Sequence, residues 1–257
     1  MDPATLFGIG LAFLAIIIAN IMEGGSPTSL LLLPPILLVF GGTIGAAIAG
    51  GTIADAKQAV VSARRAVMGK PSPAADVVPV VVSLAETARR EGLLALEDAS
   101  SRLDDPFLQR GVTLAVDGTD PEELREILEA ELYAKRASDK QAAKFFTDMG
   151  GYAPTIGIIG TVMGLVHVLE NLSNPEELGH LIAGAFLATL WGVLSANLMW
   201  LPLGSRLKRL SELEADRMEL VLEGVMAIQA GSNPRVVAQK LRSLLSERDR
   251  DAQPQAA

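Results

Sequence analysis

Two long stretches of the chain hold no lysine or arginine, and this constrains its fold more than any other feature. All 22 Lys and Arg of the 257 residues fall in two blocks, 13 from Lys57 to Lys144 and nine from Arg206 to Arg250. The stretches left bare, 1–56 and 145–205, each contain two apolar runs: Thr5–Met22 and Ser29–Gly51, then Phe145–Leu169 and Leu178–Leu203. About 20 helical residues cross ~30 Å of hydrocarbon, and all four runs are near or above that length. None carries a charge at its centre, where one would cost roughly 2.5–3.5 kcal/mol on insertion scales. A soluble core of four buried helices would not need its basic residues segregated in this way. Mean hydropathy is +0.34, and with 49% hydrophobic but only 4% aromatic residues the apolar mass is aliphatic and small. The expected fold is all-α: an integral membrane protein with four transmembrane helices and a helical cytoplasmic insert after the second.

Orientation follows from the positive-inside rule, which puts the Lys/Arg-bearing segments in the cytoplasm. The long loop from Thr52 to Lys144 and the tail after Ser205 are then cytoplasmic, as are both termini. Glu23–Thr28 and Asn171–Glu177 become short external connections. Met1-Asp2-Pro3 lacks a basic secretory start, so the first run reads as a retained anchor. The expected division is 1–51 (spans one and two), 52–144 (cytoplasmic helical domain), 145–205 (spans three and four) and 206–257 (cytoplasmic helices and a disordered end).

Several function classes are excluded. The chain has no cysteine and two histidines thirteen residues apart, so there is no disulfide framework, thiolate metal site or histidine-rich metal centre. An excess of acids, 30 against 22 basic residues, argues against nucleic-acid binding. No nucleophile–base pair, phosphate loop or metal cluster is visible, and no catalytic residue or cofactor is expected.

In the cytoplasmic part, Asp120-Pro121-Glu122-Glu123 is a helix start with cap, proline and acids in order. Leu124, Ile127, Leu128 and Leu132 recur at helical spacing behind it, and the helix is expected to run through Lys144 into span three. Asn174-Pro175 and Asn233-Pro234 repeat the signal, the latter after Gly231 ends a helix. Lys70-Pro71-Ser72-Pro73 is the clear break in the loop, and Asp249–Ala257 has no apolar pattern. In Arg89-Arg90-Glu91-Gly92-Leu93-Leu94-Ala95-Leu96-Glu97-Asp98, charges flank a short apolar core. On a continuous helix Arg89 and Glu97 share a face, although Gly92 can break it; a solvated face with routine ion pairs explains the pattern equally well.

Span two begins bulky and ends small, from Gly41 to Gly51, which suits close packing on a neighbour. In span three Pro154, Gly157, Thr161, Gly164 and Val168 form one stripe, and in span four Ala185, Thr189, Gly192 and Ala196 form another. Each is mostly small with one central hydroxyl. Ordinary helix packing accounts for such stripes, as does a narrow polar passage; Pro154 and Pro202 can free backbone carbonyls towards a cavity. No Asp, Glu, Lys or Arg sits at mid-membrane: Asp148 lies at the cytoplasmic edge, His167 and Glu170 towards the outside. A proton relay needs a titratable group in the membrane, so any ion-binding carboxylate must come from a partner.

The motifs resemble a known family. Arg-Arg-Glu-Gly-Leu-Leu-Ala-Leu-Glu at 89–97, Tyr-Ala-Pro-Thr at 152–155, Gly-Thr-Val-Met-Gly-Leu at 160–165, Ala-Thr-Leu-Trp-Gly at 188–192 and Glu-Gly-Val-Met-Ala-Ile-Gln-Ala-Gly-Ser-Asn-Pro at 223–234 occur in order. Together they resemble the MotA/PomA flagellar stator subunits of the MotA/TolQ/ExbB superfamily. The resemblance implies a homo-oligomeric ring, a pentamer in that family's pattern, in the bacterial inner membrane. It implies a single-span MotB/PomB-type partner whose membrane aspartate binds the ion, and the rotor protein FliG as the body pushed. By position, Arg89 and Glu97 match rotor-contacting charges, with Arg90 and Asp98 beside them. Pro154, Thr155, Thr161, Thr189 and Pro202 match the ion pathway. Some members carry an acid where this chain has Gly151, so any role for that acid does not carry over. The transported ion is expected to be H+, with Na+ open because Thr161 could ligand a hard cation. The ExbB/TolQ branch is the alternative, but it carries one span before its insert where this chain has two. A self-contained channel is disfavoured by the missing membrane acid.

Overall fold

The structure, a computed structural model, describes residues 4–69 and 73–251. Helices dominate: α1 (Ala4–Met22), α2 (Leu33–Ala49), α3 (Ile53–Met68), α4 (Val77–Glu91), α5 (Glu97–Ser100), α6 (Pro106–Val116), α7 (Pro121–Glu170), α8 (Pro175–Ser195), α9 (Leu201–Gln229), α10 (Pro234–Leu244) and α11 (Glu247–Asp251). Among the described residues there is no strand. A π-helical turn, Ala196–Trp200, joins α8 to α9 without a break. The chain forms two compact units, Met1–Lys70 with Asp139–Arg209 and Pro71–Ser138 with Leu210–Ala257. The divisions fall inside α7 and α9, and α3 clusters with the apolar helices.

In the first unit, α1 fills the first apolar run and is exposed along its length. The second run behaves differently from expectation. Ser29 and Leu30 belong to a 3-10 turn, Pro27–Leu30, and α2 starts only at Leu33. Pro34 and Pro35 are the cause, since proline has no N–H and fits best at a helix's first turn. At 17 residues α2 is ~25 Å long, near the lower limit for a span. Three other apolar helices are long enough to cross a membrane: α1, α7, and α8 continued through α9. Glycines at the end of α2 do meet neighbours: a methyl group on Gly42 would come within 3.0 Å of Ile156, and one on Gly50 within 3.4 Å of the Tyr152 hydroxyl. Gly41 and Gly45 meet nothing within 4 Å. Trp191 ties α8 to this region by donating its indole N–H to the Leu30 carbonyl at 2.8 Å. Phe40 packs against both Trp191 and Trp200.

The unbroken α7 realises the helix expected from Asp120 into the third apolar run. Its start is capped as the sequence suggests, Asp120 accepting from the Glu122 amide at 2.9 Å. Asn233 caps α10 in the same way through the Arg235 amide, and Gly231 takes φ +64° to end α9's turn. The sequence placed Asp249 in an unstructured end; residues 249–251 instead lie in α11, where the Asp249 amide and carboxylate both bond the Ser246 hydroxyl. Residues 252–257 and the 70–72 part of the Pro-rich break lie outside the described residues.

The second unit packs α4, α6, α10 and the unit's parts of α7 and α9 around Val81, Leu96, Leu108, Val112, Leu124, Leu128, Val221, Val225 and Leu241. Gly111 and Gly224 bring helices into contact; a methyl group there would lie 2.9 Å from Val225 and 2.7 Å from Val81 respectively. Around this core run ion pairs. Arg217 holds Asp105 at 2.9 Å, and Glu223 takes both Arg125 at 3.0 Å and Lys240 at 2.6 Å. Burial pulls the Glu223 carboxyl upward, but Lys240 and Arg125 more than offset it and hold it below its ordinary value. The Glu223 hydrogen bond in turn raises the Arg125 guanidinium.

A depressed carboxylate contributes stability that is present above its unfolded pKa and is lost as pH falls through the folded one. Glu223→Gln is therefore expected to cost about 1–2 kcal/mol at neutral pH. Thermal unfolding of the purified protein should show a lower midpoint at pH 7, and the gap should close as pH falls through the carboxylate range.

Candidate functional site

The two small-residue stripes face each other. At Gly157 of α7 a methyl group would lie 2.8 Å from the Ala188 carbonyl oxygen and 3.2 Å from the Cα atoms of Gly192 and Thr189. At Gly192 of α8 it would lie 2.7 Å from the Ala153 carbonyl and 3.3 Å from Pro154 Cα. Gly160 and Gly164 press on Ala188 and Ala185, each 2.6 Å from the Cβ such a methyl would meet. Backbone therefore lies on backbone, which only glycine permits, and van der Waals contact replaces the hydrophobic force that lipid cannot supply. Within this chain the two stripes form a helix seam.

The hydroxyls lie in this seam. Thr161 Oγ1 is within bonding distance of the Ala185 carbonyl at 2.9 Å and the Gly157 carbonyl at 3.2 Å, and it shares a short hydrogen bond with Thr189 Oγ1. Both threonines are half-buried. Pro154 lies about two turns, ~10 Å, towards the N-terminal end of α7, against Gly192. Lacking an N–H, it leaves the Gly150 carbonyl without its helical donor. Pro202, which likewise has no N–H to give, follows directly after the π-helical turn at Ala196–Trp200. Thr155 stands apart: it is exposed and bonds only its own helix, through the Tyr152 carbonyl at 2.8 Å. Thus Thr161, Thr189 and Pro154 come together at the seam, Pro202 follows the turn, and Thr155 faces elsewhere.

Arg89, Arg90, Glu97 and Asp98 are all exposed in the second unit. They do not share one helix. Gly92 takes φ +89° and ψ 166°, a conformation closed to L side chains, and α4 stops at Glu91. Leu93–Leu96 forms a 3-10 turn, and Glu97 and Asp98 open α5. The shared face expected for an unbroken helix is therefore replaced by two clusters on either side of a bend. Arg89 and Arg90 sit in the last turn of α4, where the helix dipole favours cations. Leu96 is buried to anchor the bend, while Leu94 is 74% exposed between the charge clusters. Counted simply as apolar core in the sequence, Leu94 gave no signal of this, because a 3-10 turn follows three-residue spacing.

Two further contacts were invisible to sequence reasoning. Arg65 donates from Nη1 to both oxygens of Asp139, at 3.0 and 3.3 Å, fixing α3 against α7. Ser195 is fully buried beside Gly192 and donates to its carbonyl at 3.3 Å. Seventy-four residues separate the first pair, so no local spacing announces it.

Gly192→Ala should force the seam open, and overpacking of this kind costs roughly 1–3 kcal/mol. The expected result is a lowered midpoint in thermal unfolding. Gly151→Ala, where a methyl group meets nothing within 4 Å, should leave the midpoint unchanged.

Comparison with known proteins agrees with this geometry. Residues 99–220 match the MotA/TolQ/ExbB proton channel family. The chain is 37% identical over 251 residues to motility protein A of Bacillus subtilis, covering 97% of this chain and 93% of the relative. Its fold superimposes on the MotAB structure from C. jejuni with a TM-score of 0.93 at 29% identity, covering 100% and 99% of the two chains. On the flagellar MotAB stator complex of Bacillus subtilis the TM-score is 0.89 at 36% identity, covering 97% and 98%. The chain is an all-helical inner-membrane protein and belongs to the MotA/TolQ/ExbB proton channel family, on its motility protein A side.

Proposed function

We propose that this chain is the ring-forming subunit of a flagellar stator, which couples ion flow across the inner membrane to torque on the rotor. The seam between α7 and α8 carries this reading. It is built of glycine, alanine and paired hydroxyls, and from Met149 through Leu169 there is no Asp, Glu, Lys or Arg. A surface of that kind can support an ion's path and slide against a companion helix. It supplies no carboxylate, so the ion-binding acid belongs to a single-span MotB-type partner enclosed by a ring of these chains, five in the family pattern. Likeness to solved MotAB complexes supports such a partner and an oligomeric assembly.

In this reading α1, α2, the apolar part of α7 and α8 cross the membrane, with both termini and the charged segments in the cytoplasm. By the family resemblance Pro154, Pro202, Thr155, Thr161 and Thr189 belong to the pathway, Thr155 from the exposed side of α7 rather than from the seam. Arg89, Arg90, Glu97 and Asp98 meet the rotor protein FliG, with Leu94 between them. The two apolar helices before the insert favour the flagellar reading over the ExbB/TolQ alternative. Protons are the favoured ion. The Thr161 and Thr189 oxygens are engaged with each other and with seam carbonyls, whereas sodium would need several oxygens turned towards it.

Swimming speed should persist when sodium is removed and collapse when the proton gradient is dissipated; the opposite result would assign sodium. Arg89→Glu and Glu97→Lys should each reduce swimming while the chain still co-purifies with its single-span partner. Loss of that co-purification would point instead to an assembly role for these charges.

A further inference from the structure

The helix α2 packs on two neighbours at once. Val39, Thr43 and Ala47 recur along it at four-residue spacing and are 0%, 0% and 5% exposed. To one side of this face, Leu38 and Gly42 meet α7 at Gly160 and Ile156. To the other, Phe40 packs edge-on against Trp200 of the π-helical turn, the ring centroids 5.9 Å apart. Thr43 therefore points into the wedge between α7 and the junction of α8 with α9. Ala47, Ala153 and Ala196, one each from α2, α7 and the π-helical turn, join Trp200 in the buried cluster there.

Two polar groups in this region have nothing to bond. Thr43 is fully buried and Trp200 is 9% exposed, yet neither the Thr43 hydroxyl nor the Trp200 indole N–H finds a hydrogen-bond partner among the described residues. A threonine inside a helix commonly bonds the carbonyl four residues back, as Thr147 and Thr161 do here. Thr43 does not. The other tryptophan, Trp191, gives its N–H to the Leu30 carbonyl. Leaving a buried donor unpaired costs its full desolvation, and hydrocarbon outside the helices offers no relief.

The chemistry of the two groups selects what fits between them. An indole N–H only donates, so its partner must accept, which excludes a cation. An anion would carry a charge into an apolar wedge, and no Lys or Arg lies in 1–56 or 145–205 to pair with it. A hydroxyl both donates and accepts. Water accepts from the one, exchanges a hydrogen bond with the other and brings no charge, and buried waters in proteins serve such groups.

We infer that an internal water bridges the Trp200 indole N–H and the Thr43 hydroxyl, tying α2 to the π-helical turn between α8 and α9. Such a bridge supplies polar adhesion where burying apolar surface gains nothing. The inference rests on helix packing alone and would stand if the torque reading failed.

The chain has two tryptophans, so two indole N–H signals are expected, and Trp200→Phe identifies the one that belongs to Trp200. The full chain, isotope-labelled at its indole nitrogens, is reconstituted in phospholipid bilayers for solid-state NMR. Magnetisation should pass from water to the Trp200 N–H, and should no longer do so in Thr43→Val. No transfer to Trp200 in the unmodified chain would overturn the inference, as would transfer that survives Thr43→Val. Thermal unfolding gives a second reading, because valine has the shape of threonine without its hydroxyl. Removing a hydroxyl that has no partner relieves a penalty and would raise the midpoint, whereas removing one that holds the bridge should lower it. With Trp200→Phe already in place, Thr43→Val should cost less than in the unmodified chain. A raised midpoint, or the same cost in both backgrounds, would rule the bridge out.

Discussion

The contact of Gly157 with Gly192 governs the membrane part of this protein. In lipid, two apolar helices gain nothing by burying leucine against leucine, because the surrounding tails are equally apolar. What holds α7 to α8 is the closeness that missing side chains permit, with Ala153, Ala185 and Ala188 completing the contact. That closeness sets the rest. It brings Thr161 within reach of Thr189 and of the Ala185 carbonyl, and it places Pro154 against α8. Bulkier side chains at Ile158, Ile159, Val162 and Met163 are left facing outward.

The second unit solves a different problem, that of holding charges out in water on a defined frame. Its aliphatic core is continuous, and Glu223 joins Arg125 on α7 to Lys240 on α10 across it. From that frame the chain projects Arg89 and Arg90, then reverses at Gly92 and presents Glu97 and Asp98. The bend matters chemically. On one helix face, cations and anions two turns apart could bridge to each other through intervening side chains. On separate elements, with Arg90 reaching Glu91 at 4.0 Å, the two clusters stay apart and exposed to solvent.

Much of this was legible in the sequence, and the physical reason is that membranes impose one-dimensional rules. Length, apolarity and the absence of Lys and Arg located the apolar helices, and the Asp-Pro and Asn-Pro starts placed α7, α8 and α10. The facing stripes were visible as spacings of three and four. Errors arose where one residue's backbone decides. Pro34 and Pro35 delayed α2, and Gly92 broke the charged stretch. Contacts such as Arg65–Asp139 and Trp191–Leu30 join residues far apart in sequence, which periodicity cannot see.

The seam also bears on how an ion could interact with this chain. Both threonine hydroxyls have partners within the seam, and a hydroxyl that donates to a carbonyl gains little by releasing it for a passing cation. Pro154, with no N–H, offers no helical donor to the Gly150 carbonyl. Neutral carbonyls cannot hold a proton, but they can accept hydrogen bonds from water or from a protonated carboxylic acid. With no Asp or Glu from Met149 through Leu169, the seam offers hydrogen-bond acceptors but no carboxylate that could titrate.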